Sequence, residues 1–437
     1  MPVPWRHPRK SSTTGRTAAR TAIVLCCFSS GLGAQGQATP EPAHFQELFD
    51  RRDYFALRDS LEQLSDLTAG PAELRFFKAA TQQAFNLPAA SNQTIEALLA
   101  EEDLGSQLIL RLRYLQLTNH LRLHRYGAAL GSANTFLSDI RDDSSSALVA
   151  DVRGKLPLLQ VLANVPPQET EIRGPSKLVL GKTRRVPLKI QGTKFSFALD
   201  TGANFSVIMR SEAQRLGLEI RPTNLVISTS TTRRVVGDVT VAREVEIGKI
   251  RYRNVVFLVL PDETLSFSDG EKVPGLVGFP LVNAMGEVRF RRDNVMEIPD
   301  KPQRRPYQNL ALHDLDPLVQ VRYGKDDLLC RLDTGANRTV FYEPFFRQYQ
   351  ERIESAGHRI TAKAGGVGGI QEIPAYRLPK MALTIAAAGV NLRRVEVYTQ
   401  SIRDLEENYL HCNVGLDAFA RFQSYTINFR DMALVLK

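Results

Sequence analysis

The chain has 437 residues, 43% of them hydrophobic, and a formal net charge of +9. This length predicts about three domains of roughly 150 residues, and the apolar content is sufficient for sizeable buried cores. Five basic residues lie within the first 38 positions, which contain no acid, so the rest of the chain carries a net charge of only +4. That mild charge argues against nucleic acid as a partner.

Residues 1–38 predict a secretory signal peptide. A basic start is followed by the apolar stretch TAIVLCCFSSGLGA, and small residues at Ala34 and Ala38 offer cleavage sites. The stretch is shorter than the ~18–20 apolar residues that span a bilayer comfortably. We therefore expect an exported protein, periplasmic or extracellular, which contacts a membrane only if the signal segment stays uncleaved.

Residues 39–165 predict an all-α domain. Apolar residues recur at three- and four-residue steps in HFQELFDRRDYFALRDSLEQL and in LILRLRYLQLTNHLRLHRYGAALGSANTFL. Tyr54 and Tyr126 lie 72 residues apart, about two periods of a ~34-residue helical hairpin. This spacing resembles a tetratricopeptide-type array, which would offer a surface for a protein partner. An unrelated helical bundle stays open as the alternative.

Two histidines of this domain, His120 and His124, lie four residues apart on a predicted helix. A zinc-protease helix has a Glu directly after the first His, and here that residue is Leu121. We therefore expect two exposed histidines of the helical domain and no metal site.

The pattern changes at residues 166–176, where Pro, Gly and charged residues predict a linker. Short β-rich runs follow, such as VPLKI, FSFAL and NVVFLVL. A second Pro-rich segment, PDKPQRRPYQ, then separates two β-rich units, residues 177–300 and residues 301–437.

The hexapeptide LDTGAN occurs once in each unit, at 199–204 and at 332–337. One Asp-Thr-Gly is a weak signal, but each copy is followed by an apolar-apolar-Gly sequence or a close variant. These are Leu276-Val277-Gly278 and Asn413-Val414-Gly415, whose glycines lie 78 and 82 residues after the aspartate of their own unit. The matched spacing indicates that the two units are related and that each contributes to one site.

These residues give 177–437 a resemblance to the pepsin and retroviral-protease superfamily of aspartic proteases. In that family each lobe contributes one Asp-Thr-Gly turn, and an apolar-apolar-Gly strand passes beside it in a ψ-shaped crossing. The resemblance implies a multidomain protein: an all-α helical repeat domain, then two all-β retropepsin-like lobes that form one bilobal acid-protease fold. Gly278 and Gly415 are then the ψ-loop glycines.

The resemblance implies that Asp200 and Asp333 are the catalytic pair. Two carboxylates within about 3 Å cannot both ionise at modest cost, a splitting for which aspartic proteases are the established example. One carboxylate accepts a proton from a water that attacks the peptide carbonyl, while its protonated partner supports the carbonyl oxygen. We expect no metal and no cofactor. The sequence does not decide which aspartate carries the proton.

Four neighbouring residues support this pair by resemblance. The hydroxyls of Thr201 and Thr334 are expected to form hydrogen bonds across the lobe interface. Gly202 and Gly335 allow a tight turn that brings backbone N–H groups near the carboxylates.

Alanine follows both glycines, at Ala203 and Ala336. Pepsin-like lobes usually have Ser or Thr there, whose hydroxyl donates to the carboxylate, and alanine is the retroviral-type choice. Since the donor is lost, we predict a weakly acidic rather than strongly acidic pH optimum. Asn204 and Asn337, with these alanines, are candidate substrate contacts, and a turn residue bonded to its own loop is the alternative for each asparagine.

A flap is expected over the cleft from each lobe. In the second lobe AGGVGGIQEIPAY has the glycine content of a mobile hairpin tip, with Gly366 and Gly368 as candidates. In the first lobe STSTTRRVVGDV stands in the matching place and offers only Gly237. The two flaps are therefore predicted to be unequal.

Only Cys330 and Cys412 remain after the signal segment. In the resembled fold the two strands that carry them are neighbours, so the resemblance implies a disulfide if the compartment is oxidising. Two buried free thiols are the alternative.

The sequence thus predicts an exported aspartic endopeptidase that acts on peptide or protein substrates. A catalytically silent peptide-binding protein and a protease active only by pairing lobes of different chains are the alternatives. The helical domain is expected to bind partners, position substrate or block the cleft.

Overall fold

The computed structural model describes residues 42–64, 70–140, 146–181, 183–227, 235–265, 272–401 and 409–437. The signal peptide predicted for residues 1–38 lies outside these ranges. No helix in the described part of the chain is long and apolar enough to cross a membrane.

The N-terminal part is helical, as its apolar periodicity predicts. Its described residues form α1 (Pro42–Asp50), α2 (Tyr54–Glu62), α3 (Ala72–Ala84), α4 (Pro88–Leu99), α5 (Ser106–Arg122), α6 (Tyr126–Asp139) and α7 (Ala147–Leu162). Side chains cap two of the N-termini: Asp53 accepts from Ala56 N at 3.1 Å, and Ser146 accepts from Val149 N at 3.3 Å. Consecutive helices pack on one another. We call residues 42–165 the helical region.

A buried polar network joins α3, α4 and α5. Gln83 donates to Asn119 Oδ1 at 2.8 Å, and Asn119 donates to Ser91 Oγ and Asn92 Oδ1, both at 2.9 Å. His120 lies in this network, 3.5 Å from the Asn92 amide, and is only 9% exposed. The expectation that His120 and His124 are exposed is therefore wrong. Burial lowers the pKa of His120, and it lowers that of His124 to about 4, because the charged imidazolium is poorly solvated there.

The first lobe is built on an eight-stranded sheet with two short helices. Its elements are β1 (Glu169–Ile172), β3 (Val186–Ile190), β4 (Thr193–Leu199), β5 (Ser206–Met209), α8 (Arg210–Arg215), β6 (Arg221–Ile227), β7 (Val235–Ile247), β8 (Ile250–Leu260), β9 (Gly275–Val277) and α9 (Phe279–Ala284). The strand order is β1-β8-β5-β9-β4-β3-β7-β6. The segment 166–176, predicted as a linker, contributes β1 to this sheet through antiparallel pairing with β8.

The second lobe repeats this plan. Its elements are β12 (Leu310–His313), β13 (Asp316–Tyr323), β14 (Asp326–Leu332), β15 (Val340–Phe341), α10 (Glu343–Gln348), α11 (Gln350–Ala356), β16 (His358–Gly366), β17 (Gly369–Ile385), β18 (Ala388–Tyr398) and β19 (Cys412–Val414). The strand order is β12-β13-β14-β19-β15-β18-β17-β16. In both lobes a parallel strand lies beside the strand that ends at LDTGAN, β9 beside β4 and β19 beside β14.

A five-stranded sheet connects the lobes. It contains β2 (Ser176–Val179), β10 (Glu287–Arg291), β11 (Val295–Ile298), β20 (Ser424–Asn428) and β21 (Ala433–Leu436), in the order β2-β11-β10-β20-β21. The pairing of β10 with β20 crosses from one lobe to the other, and Phe290 stacks on Tyr425 with ring centroids 4.8 Å apart. This sheet fixes the two lobes beside each other within one chain.

The helical region packs against both lobes. One apolar core runs from Phe45 and Phe77 to Leu310 and Leu312 of the second lobe. A second core joins Leu158 and Leu162 of α7 to strands of the first lobe. The helices and the lobes therefore share buried cores.

Candidate active site

Two equivalent turns approach each other between the lobes. Asp200 directly follows β4, and Asp333 directly follows β14. Gly202 N–H donates to Asp200 Oδ1 at 2.9 Å, and Gly335 N–H donates to Asp333 Oδ1 at 2.8 Å. The two glycines face the opposite carboxylate closely: a Cβ on Gly335 would lie 2.6 Å from Asp200 Cγ. Each Asp-Thr-Gly thus orients its own carboxylate and leaves room for the other.

The two threonines connect the turns through reciprocal hydrogen bonds. Thr201 N–H donates to Thr334 Oγ1 and Thr334 N–H donates to Thr201 Oγ1, both at 3.1 Å. The Thr201 hydroxyl also donates to Leu332 O at 2.9 Å. Thr201 is fully buried and Thr334 is 6% exposed, so these bonds are shielded from solvent. They hold the two turns in register.

The ψ-loop glycines lie where no side chain fits. A Cβ on Gly278 would lie 2.4 Å from Phe205 O, and one on Gly415 would lie 2.5 Å from Arg338 O. Their N–H groups donate to side-chain hydroxyls, Gly278 to Ser206 and Gly415 to Thr339, both at 3.1 Å. These hydroxyls were not predicted from the sequence, although each stands six residues after its aspartate.

The carboxyl groups of Asp200 and Asp333 lie close together, since a Cβ on Gly202 would lie 3.3 Å from Asp200 Oδ1 and 3.2 Å from Asp333 Cγ. Burial of the carboxyl group, followed by the nearby charge of Asp333, raises the pKa of Asp200 to about 8 from its ordinary value of 3.8. The Gly202 N–H and the positive charge of Arg331 act in the opposite direction but are outweighed. The raised pKa favours a proton shared by the two carboxyl groups. Such a pair can accept one proton and donate another.

Asn413 is a further polar residue of the site, and it was not predicted from the sequence. Its Nδ2 donates to Asp333 Oδ2 at 2.8 Å, from a side chain that is 7% exposed. The signal was present, because Asn413 replaces an apolar residue in an apolar-apolar-Gly sequence. The corresponding residue of the first lobe is Leu276, which has no polar group.

The residues after the glycines lie beside the ψ-loops. Ala203 O accepts from Phe279 N at 2.8 Å, and Ala336 O accepts from Leu416 N at 2.9 Å. Ala336 N–H also donates to Asp333 Oδ1 at 3.1 Å. Asn204 and Asn337 are exposed.

The two candidate flaps differ in structure. In the second lobe β16 and β17 form a hairpin in which Gly366 pairs with Gly369, and Gly368 at its tip has a φ of +94°, which favours glycine. In the first lobe Gly237 pairs with Leu225 inside the β6–β7 hairpin. Residues 228–234 of that hairpin lie outside the described ranges.

Cys330 and Cys412 are joined by a disulfide. They are register partners on the adjacent parallel strands β14 and β19 and are fully buried. The bond therefore links the strand that ends at Asp333 to the strand that carries Asn413. Among the described residues, no group of three or more His, Cys, Asp or Glu is arranged to hold a metal ion.

Comparison with known proteins agrees with this geometry in the first lobe. The family model "Aspartyl protease" matches residues 186–281, which include Asp200 and Gly278. Among solved structures, the chain is similar to a retropepsin-like aspartic protease from Rickettsia conorii, at 19% identity over 30% of this chain and 93% of that one. The TM-score of that match is 0.21. No curated protein matches the sequence. The family match supports an aspartyl protease, a hydrolase of peptide bonds.

Proposed function

We propose that this chain is an exported aspartic endopeptidase in which a water molecule is activated between Asp200 and Asp333. The observation that carries the proposal is that the two carboxyl groups meet on facing Asp-Thr-Gly turns, which reciprocal threonine hydrogen bonds of 3.1 Å hold together. The pairing of β10 with β20 favours a site completed within one chain, because closure inside a chain avoids the entropy cost of association.

The chemistry follows from one ionised and one protonated carboxylate. The ionised aspartate accepts a proton from the water, whose oxygen attacks the carbonyl carbon of the substrate, and the protonated aspartate donates its proton to the carbonyl oxygen. In the second step the peptide C–N bond breaks. The leaving nitrogen then receives the proton taken from the water, and the other aspartate recovers its own from a hydroxyl of the intermediate. The pair returns to its starting state without a covalent intermediate.

Separate substitutions Asp200→Asn and Asp333→Asn test the proposal against a quenched-fluorescence peptide library, with and without pepstatin. We expect each substitution alone to reduce kcat/KM by more than about a thousandfold, since both groups act in one transition state. Asp293→Asn is the matched control, because Asp293 is an exposed aspartate paired with Arg291. Near-full activity in either of the first two variants would contradict a shared site.

Two further outcomes would indicate the alternatives, pairing of lobes from different chains or a catalytically silent binding protein. Recovery of cleavage when the two inactive variants are mixed indicates that lobes of different chains pair. Binding of pepstatin and peptides by the parent protein, without cleavage at any pH from 3 to 9, indicates a silent binding protein.

Export and partner binding belong to the same proposal. The buried Cys330–Cys412 disulfide is compatible with an oxidising compartment. Fractionation of the producing cells, with intact mass measurement of the protein, tests whether it leaves the cytoplasm and whether the segment 1–38 is removed. Crosslinking of the exported protein tests for a partner on the helical region.

A further inference from the structure

The two aspartates have different hydrogen-bond environments although their turns have the same sequence. Among the described residues, Asp333 accepts from the backbone N–H groups of Gly335 and Ala336 and from Asn413 Nδ2. Asp200 accepts from the Gly202 N–H. Hydrogen bonds donated to a carboxylate favour its ionised form, and burial without donors favours the protonated form. The two environments therefore favour the ionised form of Asp333 over that of Asp200.

The side-chain donor comes from a position that differs between the lobes. Asn413 lies two residues before Gly415, and Leu276 lies two residues before Gly278. The two positions have the same register: Asn413 pairs with Arg331 on β14, and Leu276 pairs with Ala198 on β4. Leu276 packs in an apolar cluster with Val207. The first lobe consequently supplies a hydrocarbon where the second lobe supplies an amide.

The amide is held in a defined position. Asn413 is 7% exposed, and its neighbour on the strand, Cys412, is tied to β14 by the disulfide. Its Oδ1 is buried without a hydrogen-bond partner among the described residues. Reversing the amide would turn Oδ1 toward the carboxylate oxygen of Asp333, which is unfavourable when that oxygen is charged. The observed orientation therefore fits an ionised Asp333.

Arg331 is a further charged residue near the two aspartates. Arg331, on β14, forms an ion pair with Asp316 of β13 at 2.9 Å. Its charge lowers the pKa of Asp200, but burial and the charge of Asp333 outweigh it.

We propose that Asn413 is a positioning residue that fixes Asp333 as the ionised base and leaves Asp200 as the protonated acid. This inference rests on the proposed peptidase function. In the first step Asp333 takes the proton of the water and Asp200 gives its proton to the carbonyl oxygen. The asymmetry is built into the chain, whereas two identical lobes would share the proton equally until substrate binds.

The test compares Asn413→Leu, the double exchange Asn413→Leu with Leu276→Asn, and Asn391→Leu, a control at an exposed site on β18. In Asn413→Leu we expect the acidic limb of kcat/KM to move up by about one pH unit, so that activity at pH 4.5 falls about tenfold relative to the optimum. The double exchange places the amide beside Asp200, and we expect it to restore much of the acidic limb with the two roles reversed. A loss that is equal at every pH, or an unchanged profile, would overturn the proposal.

A second measurement needs neither activity nor a folded variant at position 413. The carboxyl carbons of aspartate are labelled with ¹³C in the parent protein, and the signals of the pair are assigned with Asp200→Asn and Asp333→Asn. At pH 6 we expect the chemical shift of an ionised carboxylate for Asp333 and of a protonated one for Asp200. The reverse assignment would overturn the inference. If the parent cleaves no peptide at any pH, the proposed function fails, while the two chemical shifts still test which aspartate carries the proton.

Discussion

At the scale of single residues, the aspartate pair combines identical turns with unequal surroundings. Gly202 and Gly335 give each carboxylate the same backbone donor, so the turn sequence alone makes them equivalent. The Ala336 N–H is a second backbone donor to Asp333. The difference in side-chain donors arises from β9 and β19, which lie about 80 residues further along the chain. The identity of one residue on each ψ-loop therefore decides how the proton is shared.

The first prediction at this scale concerns the alkaline limb of activity. The folded pKa of Asp200 is raised to about 8, so the acid is protonated below that pH and loses its proton above it. We expect kcat/KM to be highest at weakly acidic to neutral pH and to fall about tenfold per pH unit above pH 8. A profile of kcat/KM from pH 3 to 10, at constant ionic strength, measures this.

The control for that profile is the thermal unfolding midpoint at each pH. It distinguishes deprotonation of Asp200 from unfolding of the protein. An optimum below about pH 3 would contradict the prediction, because the ionised base would then have to persist at a strongly acidic pH.

The sequence allowed the reacting groups to be predicted but not their partners. Asp200, Asp333 and the adjacent Thr and Gly residues were predictable because the motif occurs twice at matched spacing. Asn413 was not, because its hydrogen bond depends on two distant segments becoming neighbouring strands. The exposure of His120 was predicted wrongly for a similar reason: Asn92 of α4 packs beside it, a contact that periodicity cannot reveal.

At the scale of elements, the two candidate flap hairpins have different contacts. In the first lobe β6 packs against α7, so the helical region supports that hairpin. In the second lobe the tip of the β16–β17 hairpin reaches the other lobe: Gly368 N–H donates to Thr264 O at 3.3 Å, and Val367 packs in the apolar cluster that includes Leu265. We infer that the second hairpin is the one that opens.

The prediction at this scale is that Val367→Ala weakens closure of the second hairpin. Loss of two methyl groups from the tip removes about 1–1.5 kcal/mol of apolar burial in the closed state. Since closure contributes to substrate binding, we expect KM to rise roughly five- to tenfold and kcat to change less than threefold. Steady-state kinetics on one peptide substrate measures both.

Ile370→Ala is the matched control, because Ile370 lies on the same hairpin but is 50% exposed. Equal effects of the two substitutions would indicate that Val367 acts through general hairpin stability. Hydrogen exchange of the Gly368 amide provides a direct readout, with faster exchange expected in Val367→Ala alone.

At the scale of the whole molecule, the helical region forms hydrogen bonds with the turn between β12 and β13 of the second lobe. Tyr54 OH lies 2.9 Å from His313 Nδ1, and the guanidinium of Arg122 donates to both Gln83 O and Asp314 O. Burial alone would raise the pKa of Asp314, but the positive charges of His313, Lys155, Arg122 and Arg52 outweigh it and lower that pKa below 3.8. The stabilisation from these charges is therefore present above pH 3.8 and lost as the pH falls through the lower folded value.

The sequence predicted the order of the helical and β-rich parts but not how they pack together. Shared cores and a buried arginine between distant segments make the helices a structural support for the lobes. We therefore expect a chain that lacks residues 42–165 to aggregate, because the apolar residues of the first lobe that pack against α7 would be exposed. A soluble and more active product would instead indicate that the helices inhibit the enzyme.

Arg122→Met isolates the contribution of this junction, because methionine keeps an apolar stem and removes the guanidinium. Asp314 O then loses its guanidinium donor, at about 1–3 kcal/mol, while Gln83 O loses one donor and keeps the N–H of Asn86 at 3.1 Å. We expect the unfolding midpoint to fall by several degrees at pH 7, whereas Arg125→Met, at an exposed position on the neighbouring turn, leaves it nearly unchanged. Because Asp314 also loses a nearby positive charge, the difference between Arg122→Met and the parent should narrow as the pH falls below 3.8. A difference that stays constant between pH 3 and 7 would show that the guanidinium contributes through packing and carbonyl hydrogen bonds alone, independently of the charge on Asp314.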